Sequence, residues 1–214
     1  MNEEMKVDDR RDFGKGALTE EVAGADPLRL FRAWLEEAKQ GGQPDHNAMM
    51  LATAGSMSIS CRVVLLREVD ARGFIFYTNN NSRKAMDLER DPRAALTFFW
   101  PALERQVRIE GKAARLPAAE SDAYFASRPR ESRIGAWSSD QSRAVDSRSA
   151  MDERFARWQE RFKDQEVPRP EHWGGIVVAP VRIEFWQGRA NRLHDRIAFE
   201  RFSDGSWQRM RLQP

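Results

Sequence analysis

Cysteine, histidine, tyrosine and lysine are all scarce in this 214-residue chain: one, three, two and six residues. A single cysteine, Cys61, can form no internal disulfide and fits a reducing compartment. The three histidines and this cysteine stand at no spacing that suits zinc. No run approaches the ~18 apolar residues of a membrane span. The start, MNEEMKVDDRRDFGKG, is charged throughout and lacks the apolar stretch of a secretory signal, so a cytoplasmic location is the expectation. The glycines form no G-x-G-x-x-G after a strand and no Walker A loop, since GKGAL near the start lacks the preceding glycine. No G-x-S-x-G is present. A phosphate bound here must therefore be held by side chains, not by a glycine loop.

What is abundant is arginine: 29 residues against 6 lysines, balanced by 33 acids to a net charge of +2. The guanidinium fork suits bidentate contacts to phosphate or carboxylate; biased codon usage is the competing explanation. The arginines are dispersed, not run together as in a nucleic-acid footprint. With 41% apolar and 10% aromatic residues the chain can bury a sizeable core.

Residues 1–25 are polar and without period, and are read as a mobile segment and candidate active-site lid, with 26–214 as one domain. Asp26 caps a helix that begins at Pro27, carries Leu28, Phe31, Trp34, Leu35 and Ala38 on one face, and ends at Gly41-Gly42. The period then changes. AMMLATA (48–54), SISCRVVLLRE (58–68) and GFIFYTN (73–79) read as strands, the last two joined by a turn over 70–73. A helix over 82–92 is capped by Ser82. RAALTFFW and ERQVRIEGKAARL follow as strands, then helices at 117–127, around 131–137, and at 149–163, where Met151, Phe155, Trp158 and Phe162 share a face. GGIVVAPVRIEFWQG, IAFERF and SWQRMRL close the chain as strands. Seven or eight strands in antiparallel succession, without βαβ alternation, point away from a doubly wound sheet and toward a mainly β, α+β fold: a small antiparallel barrel with peripheral helices.

Three clusters could carry chemistry. Ser82, Arg83 and Lys84 stand at a strand-to-helix junction, where backbone N–H groups and two cations converge; the alternative is a solvated helix start. Arg62 opens an apolar strand, where a charge needs a reason; the alternative is a strand-edge residue. Tyr124, Arg128 and Ser132 are four apart, although Pro129 breaks a continuous helix; together they suit a phosphate, or else are the polar end of a helix. In EFWQGRANRLHDR (184–196), His194 is crowded by Arg189, Arg192 and Arg196; taken alone, it reads as a structural histidine.

Taken together, RVVLLRE, FYTNNNSRKA, LERQVRIEGKA, YFASRPRESRIGAWSSDQS, HWGG, IEFWQGRANRLHDR and the near-terminal RL.P resemble the pyridoxine/pyridoxamine 5'-phosphate oxidases, in register from about Arg10 to Pro214. The resemblance implies an antiparallel FMN-binding split β-barrel that works as a homodimer, with flavin between subunits. It implies oxidation of pyridoxamine or pyridoxine 5'-phosphate to pyridoxal 5'-phosphate, with O₂ reduced to H₂O₂. It implies FMN contacts from Arg62, Val63, Val64, Leu65, Leu66, Arg67, Tyr77, Thr78, Arg83, Lys84, Gln106, Gln141, Ser142, Trp186 and Arg196. Substrate contacts are implied for Arg10, Arg67, Tyr124, Arg128, Ser132, Arg192, Leu193 and His194, with Arg192 and His194 as the catalytic pair. These two alternate along a stretch expected to be extended, and so face the same way. Arg192 is too basic to take a proton; His194 either handles one or hydrogen-bonds the substrate phosphate. Arg189 matches no family role and is expected to be solvated. Three departures stand out: Arg67 where the family has lysine, Phe13 where it has tyrosine, and AGSMSISC in place of a G-x-P turn. Phenazine-pathway flavin oxidases and a non-catalytic carrier of FMN or pyridoxal phosphate are the rival readings.

Overall fold

The computed structural model describes residues 12–56 and 58–214. Arg10, expected at the substrate, lies outside them. Among the described residues the chain forms six α-helices and nine strands. Helix α1 (Glu20–Ala23) is a single turn capped by the Thr19 hydroxyl, in a stretch where no regular element was expected. Helix α2 (Pro27–Gln40) matches its expected bounds. The Asp26 carboxylate accepts the N–H groups of Leu28 and Arg29 at 2.9 and 3.2 Å, a cap worth about 1 kcal/mol. Its buried face carries Leu30, Phe31, Trp34 and Ala38. Leu28 and Leu35, expected on that face, are only half-buried.

Strands β1 (Ala48–Ala54) and β2 (Ile59–Leu65) form an antiparallel pair. Strand β3 (Glu68–Val69) pairs instead with β4 (Phe74–Asn79). The single strand expected over 58–68 is thus two. At the break the Leu66 N–H still bonds Asn47 O at 2.8 Å, beside β1, while the Arg67 N–H bonds Ile75 O of β4 at 2.9 Å. The chain changes partner between these two peptides, and a pattern of apolar residues cannot register that change. Helix α3 (Arg83–Arg90) has Ser82 at its N-cap in extended conformation, but the hydroxyl makes no cap bond. It accepts from Lys84 Nζ at 3.4 Å instead.

Strand β5 (Arg93–Trp100) leads through a 3-10 turn to β6 (Arg105–Arg115). Helices α4 (Ala118–Ala126) and α5 (Arg130–Ser138) are separated at Pro129, as the sequence suggests. Helix α6 (Arg148–Arg161) keeps Phe155 and Trp158 partly buried, but Met151, expected beside them, is 45% exposed. Strands β7 (Trp173–Gln187), β8 (Asp195–Arg201) and β9 (Trp207–Leu212) complete the chain. The hydrogen-bonded order is β2-β1-β5-β6-β7-β4-β3, with β8 on β7 and β9 on β8.

By its internal contacts the chain divides into two compact units. The terminal unit comprises the chain up to His46, Phe99–Arg108 and Ile183–Pro214; the central unit comprises Asn47–Phe98 and Ile109–Arg182. In the terminal unit α2 sets Trp34 edge-on to Phe185 (5.2 Å) and Phe31 against Trp100 (6.2 Å). In the central unit Met49, Leu51, Phe74, Phe76, Leu96 and Phe98 are sealed from solvent. A second cluster there, Phe125, Ile134, Phe162, Val167 and Trp173, binds α4–α6 to the start of β7. No helix among the described residues is long and apolar enough to cross a membrane.

Candidate active site

A cavity of about 520 Å³ opens in the central unit. Strand β2 ends the strand order, so its outer edge offers unpaired peptide groups. Val63, Val64 and Leu65 line the cavity from this edge, followed by Arg67. Strand β4 adds Tyr77 and Thr78, α3 adds Lys84, and Gln141 enters from the loop after α5. Tyr124, Arg128 and Ser132 line it from α4, the break and α5. Twelve of the residues expected at cofactor or substrate are in or beside this site once Arg62 is counted, since its charge acts on Lys84. Leu66 is not a lining residue: its side chain is 4% exposed in the core.

The lining holds three cations and no carboxylate. Lys84 Nζ donates to Gln141 Oε1 (3.1 Å), Thr78 Oγ1 (3.2 Å) and Ser82 Oγ, all neutral. Burial, then repulsion from Arg62, lowers its pKa to about 8. Arg128 is held differently. Its Cζ stands 4.6 Å over the Trp173 ring and 5.5 Å from Phe125. Its Nη1 is buried without a hydrogen-bond partner. Burial is the largest influence on this guanidinium and pushes its pKa down; the Tyr124 hydroxyl opposes that and Arg67 reinforces it. An unsatisfied buried donor is costly unless a ligand meets it, so the donor set fits an anion.

Arg62 is more than a strand-edge residue. It donates to Leu51 O (3.2 Å), Thr53 Oγ1 (2.8 Å) and Ser60 Oγ (2.7 Å), and Asp87 lies 4.0 Å away. Thr53 in turn donates to Asp87 at 2.9 Å. Asp87, which the sequence reading missed, is the buried anchor of this network. Arg83 is exposed; its N–H bonds Ser142 Oγ at 3.2 Å and its guanidinium bonds Ser58 Oγ at 2.9 Å. The structure thus joins Arg83 and Ser142.

The remaining expected residues, Gln106, Trp186, Arg192, Leu193, His194 and Arg196, lie in the terminal unit. There Trp186 and His194 are 4.7 Å apart, and Phe13 meets both edge-on at 5.5 Å. A Cβ on Gly188 would fall 2.7 Å from the Phe13 ring, so glycine is what lets Phe13 in. The expected alternation of Arg192 and His194 is not observed. Residues 190–192 form a 3-10 turn, with Asn191 at φ 57° and Arg192 at φ 61°. Left-handed backbone is unusual for arginine and is a form of strain found at functional sites. Arg189, expected to be solvated, has work in the scaffold: its N–H donates to His194 Nδ1 (3.1 Å) and its guanidinium to Gly16 O (3.2 Å). With Nδ1 accepting, the neutral imidazole presents Nε2–H as a donor. Arg196 is fixed by Glu184, which accepts from Nε at 2.9 Å and lies 2.8 Å from Nη2, and by Gln213 O at 2.8 Å. Glu184, 4% exposed, is a second acid the sequence reading did not find. The partners of both acids lie in other elements, and no local pattern marks them.

A family described as pyridoxamine 5'-phosphate oxidase matches residues 35–162, and one described as pyridoxine 5'-phosphate oxidase C-terminal dimerisation region matches 173–214. A pyridoxine/pyridoxamine 5'-phosphate oxidase of Rubrobacter xylanophilus is 52% identical over 206 residues, spanning 96% of this chain and 94% of its own. The crystal structure of PhzG from Burkholderia lata with tetrahydrophenazine-1-carboxylic acid superposes with TM-score 0.87 at 30% identity, covering 94% of this chain and all of that one. A pyridoxamine 5'-phosphate oxidase-related, FMN-binding protein from Nostoc punctiforme matches the fold at TM-score 0.71 and 14% identity, over 89% of this chain and all of its own.

Proposed function

The chain belongs to the pyridoxamine 5'-phosphate oxidase family, and on that premise we propose how its residues divide one reaction. It is an FMN-dependent oxidase with the antiparallel split-barrel fold, converting pyridoxamine and pyridoxine 5'-phosphates to pyridoxal 5'-phosphate. It works as a homodimer. Each FMN lies between subunits and meets residues of both chains, a reading supported by the match of residues 173–214 to a C-terminal dimerisation region. For the amine, substrate, water and O₂ give aldehyde, ammonia and H₂O₂. The single exposed cysteine suits the reducing cytoplasm, where we place the reaction.

Bound FMN supplies the acceptor for two electrons from the substrate's C4' carbon. The chain's residues bind and orient. Lys84, with Thr78, Gln141, Arg83, Ser142 and the Arg62 network, holds the cofactor's phosphate and its surroundings. The 62–67 edge, with Leu66 through its backbone alone, and Tyr77 would contact the flavin, as would Gln106, Trp186 and Arg196. Tyr124, Arg128, Ser132 and Arg67 grip the substrate phosphate. Arg192, Leu193 and His194 face the reacting end, and Arg10 belongs to the same substrate set. His194 donates from Nε2–H to the substrate; taking up a proton at Nδ1 would displace the Arg189 N–H. The described part of the N-terminal segment around Phe13 covers the site as a lid, a role that the contacts of Phe13 with Trp186 and His194 support.

The observation that carries the substrate assignment is the buried, unpartnered Nη1 of Arg128 in a cavity without carboxylates. O₂ uptake by the FMN-loaded protein tests it. Pyridoxamine 5'-phosphate should be oxidised with a KM at least tenfold below that of pyridoxamine; equal KM values would remove the phosphate subsite.

A further inference from the structure

The HWGG stretch at the head of β7 belongs to the sequence pattern but has no part in the assignment above. Its tryptophan stands under the cation that carries the assignment. Trp173 is 7% exposed, and the Arg128 guanidinium lies over its ring at 4.6 Å. The indole is itself braced. Tyr77 stacks on it at 5.3 Å and 11°, Tyr124 lies parallel at 6.2 Å, and Phe125 meets it edge-on at 5.0 Å. Its carbonyl accepts from Arg169 Nη1 at 2.6 Å and its N–H bonds Pro170 O at 3.0 Å. Gly175 makes the stack feasible, because a Cβ there would fall 2.8 Å from Tyr77 Cε1 and 2.6 Å from Leu116 Cδ1.

We propose that Trp173 is the positioning residue of the substrate-phosphate subsite, holding the Arg128 guanidinium by its π-face so that the N–H donors stay available to the substrate's dianion. A guanidinium can be fixed by a carboxylate or by an aromatic face. A carboxylate would consume two donors and cancel the charge that the substrate needs. An indole face attracts the cation through its quadrupole and uses no N–H. Among the described residues Arg128 has no ion pair, and its Nη1 has no acceptor. The stack also resists the repulsion between Arg128 and Arg67.

The inference rests on the reading that Arg128 binds the substrate phosphate, and the test separates the two. KM and kcat are measured on FMN-loaded wild type, Trp173→Leu, Trp173→Phe, Arg128→Ala and the Arg128→Ala/Trp173→Leu and Arg128→Ala/Trp173→Phe double variants, with pyridoxamine 5'-phosphate and with pyridoxamine. Trp173→Leu should raise KM for the phosphorylated substrate roughly 3- to 30-fold, with kcat within about twofold and KM for pyridoxamine unchanged. Trp173→Phe, which keeps an aromatic face, should recover most of the loss. Neither change should add to the effect of Arg128→Ala, as expected of residues acting through one contact. If Trp173→Leu does not fold, the smaller Trp173→Phe effect and its loss in the Arg128→Ala background decide the matter. Equal losses on both substrates, or a fall in kcat alone, overturn the proposal in favour of a packing role. A normal Arg128→Ala effect beside an inert Trp173 overturns the proposal alone. An inert Arg128→Ala overturns both it and the reading beneath it.

Discussion

The basic residues of the terminal unit and those of the central cavity have opposite surroundings. In the terminal unit carboxylates meet several of the guanidiniums. Arg105 lies 2.5 Å from Glu37, Arg196 2.8 Å from Glu184, and Arg211 2.6 and 2.8 Å from Glu20 and Asp195. Arg211 also donates to Leu18 O, so one side chain ties the N-terminal stretch to β9. In the cavity Lys84, Arg128 and Arg67 line a wall without any acid. Arginine count alone therefore says little. Neutralised arginines join segments distant in sequence, while unneutralised ones leave charge for an anion. Exposed pairs of the first kind contribute little stability each; a half-buried cation of the second kind, with a buried donor left unpaired, makes sense through the ligand it meets.

The sharpest way to break this contrast is Arg128→Ala. Losing a charge-assisted contact to a buried anion corresponds to about 1.5–3 kcal/mol, or roughly 10- to 150-fold in KM for the phosphorylated substrate. Steady-state kinetics should show this loss with FMN content unchanged, whereas loss of flavin would move Arg128 to the cofactor. Glu184→Gln probes the other side. It leaves Arg196 and Arg108 without their carboxylate, and since both arginines are partly exposed a loss of about 1–3 kcal/mol is expected. Thermal unfolding should report it as a Tm lower by roughly 2–10 °C. Since Arg196 is also assigned to the flavin, FMN content should fall as well; unchanged Tm and FMN content together would remove the pair from both scaffold and site.

Lys84 sharpens the comparison through pH. Burial holds its pKa near 8, below the usual 10.5. Above pH 8 the ligand-free protein has lost this charge, so binding a phosphate must take up a proton. FMN affinity should then fall by up to about tenfold per pH unit, and Lys84→Arg should flatten the slope. For stability the sign is reversed. Between about pH 8 and 10.5 the unfolded chain holds more protons at this residue, so its contribution to apoprotein stability rises across that window. Fluorescence titration of FMN from pH 7 to 9.5 measures the binding slope; a flat wild-type curve would detach Lys84 from the phosphate.

The smallest effect belongs to His194→Gln. Glutamine can replace an Nε2–H donor, so the rate of anaerobic flavin reduction should stay within roughly fivefold of wild type. A drop of two orders of magnitude, with one limb of the pH profile gone, would mean instead that the imidazole carries a proton.

Much of this molecule is local and was legible as such. Asp26-Pro27 and Gly41 bound α2 because caps act on the backbone beside them. AMMLATA, read as a strand, is β1 to the residue, and its burial alternates along the chain. Tyr124, Arg128 and Ser132 reach one cavity in spite of Pro129, since the break between α4 and α5 keeps them on one side. What failed to be legible depends on a partner. Strand 58–68 divides because its peptides bond first β1 and then β4. Residues 190–192 turn instead of extending, and Arg189 proves to hold His194.

The sequence by itself determined the family, the chemistry and most of the residues that line the cavity, because residue type and spacing are inherited along the chain. Only the tertiary structure decided which cations keep their charge. Whether Arg196 finds Glu184, or Arg128 finds an indole and no acid, depends on contacts between residues that the chain separates by many positions. Charge compensation acts through space, and no window of sequence contains both partners.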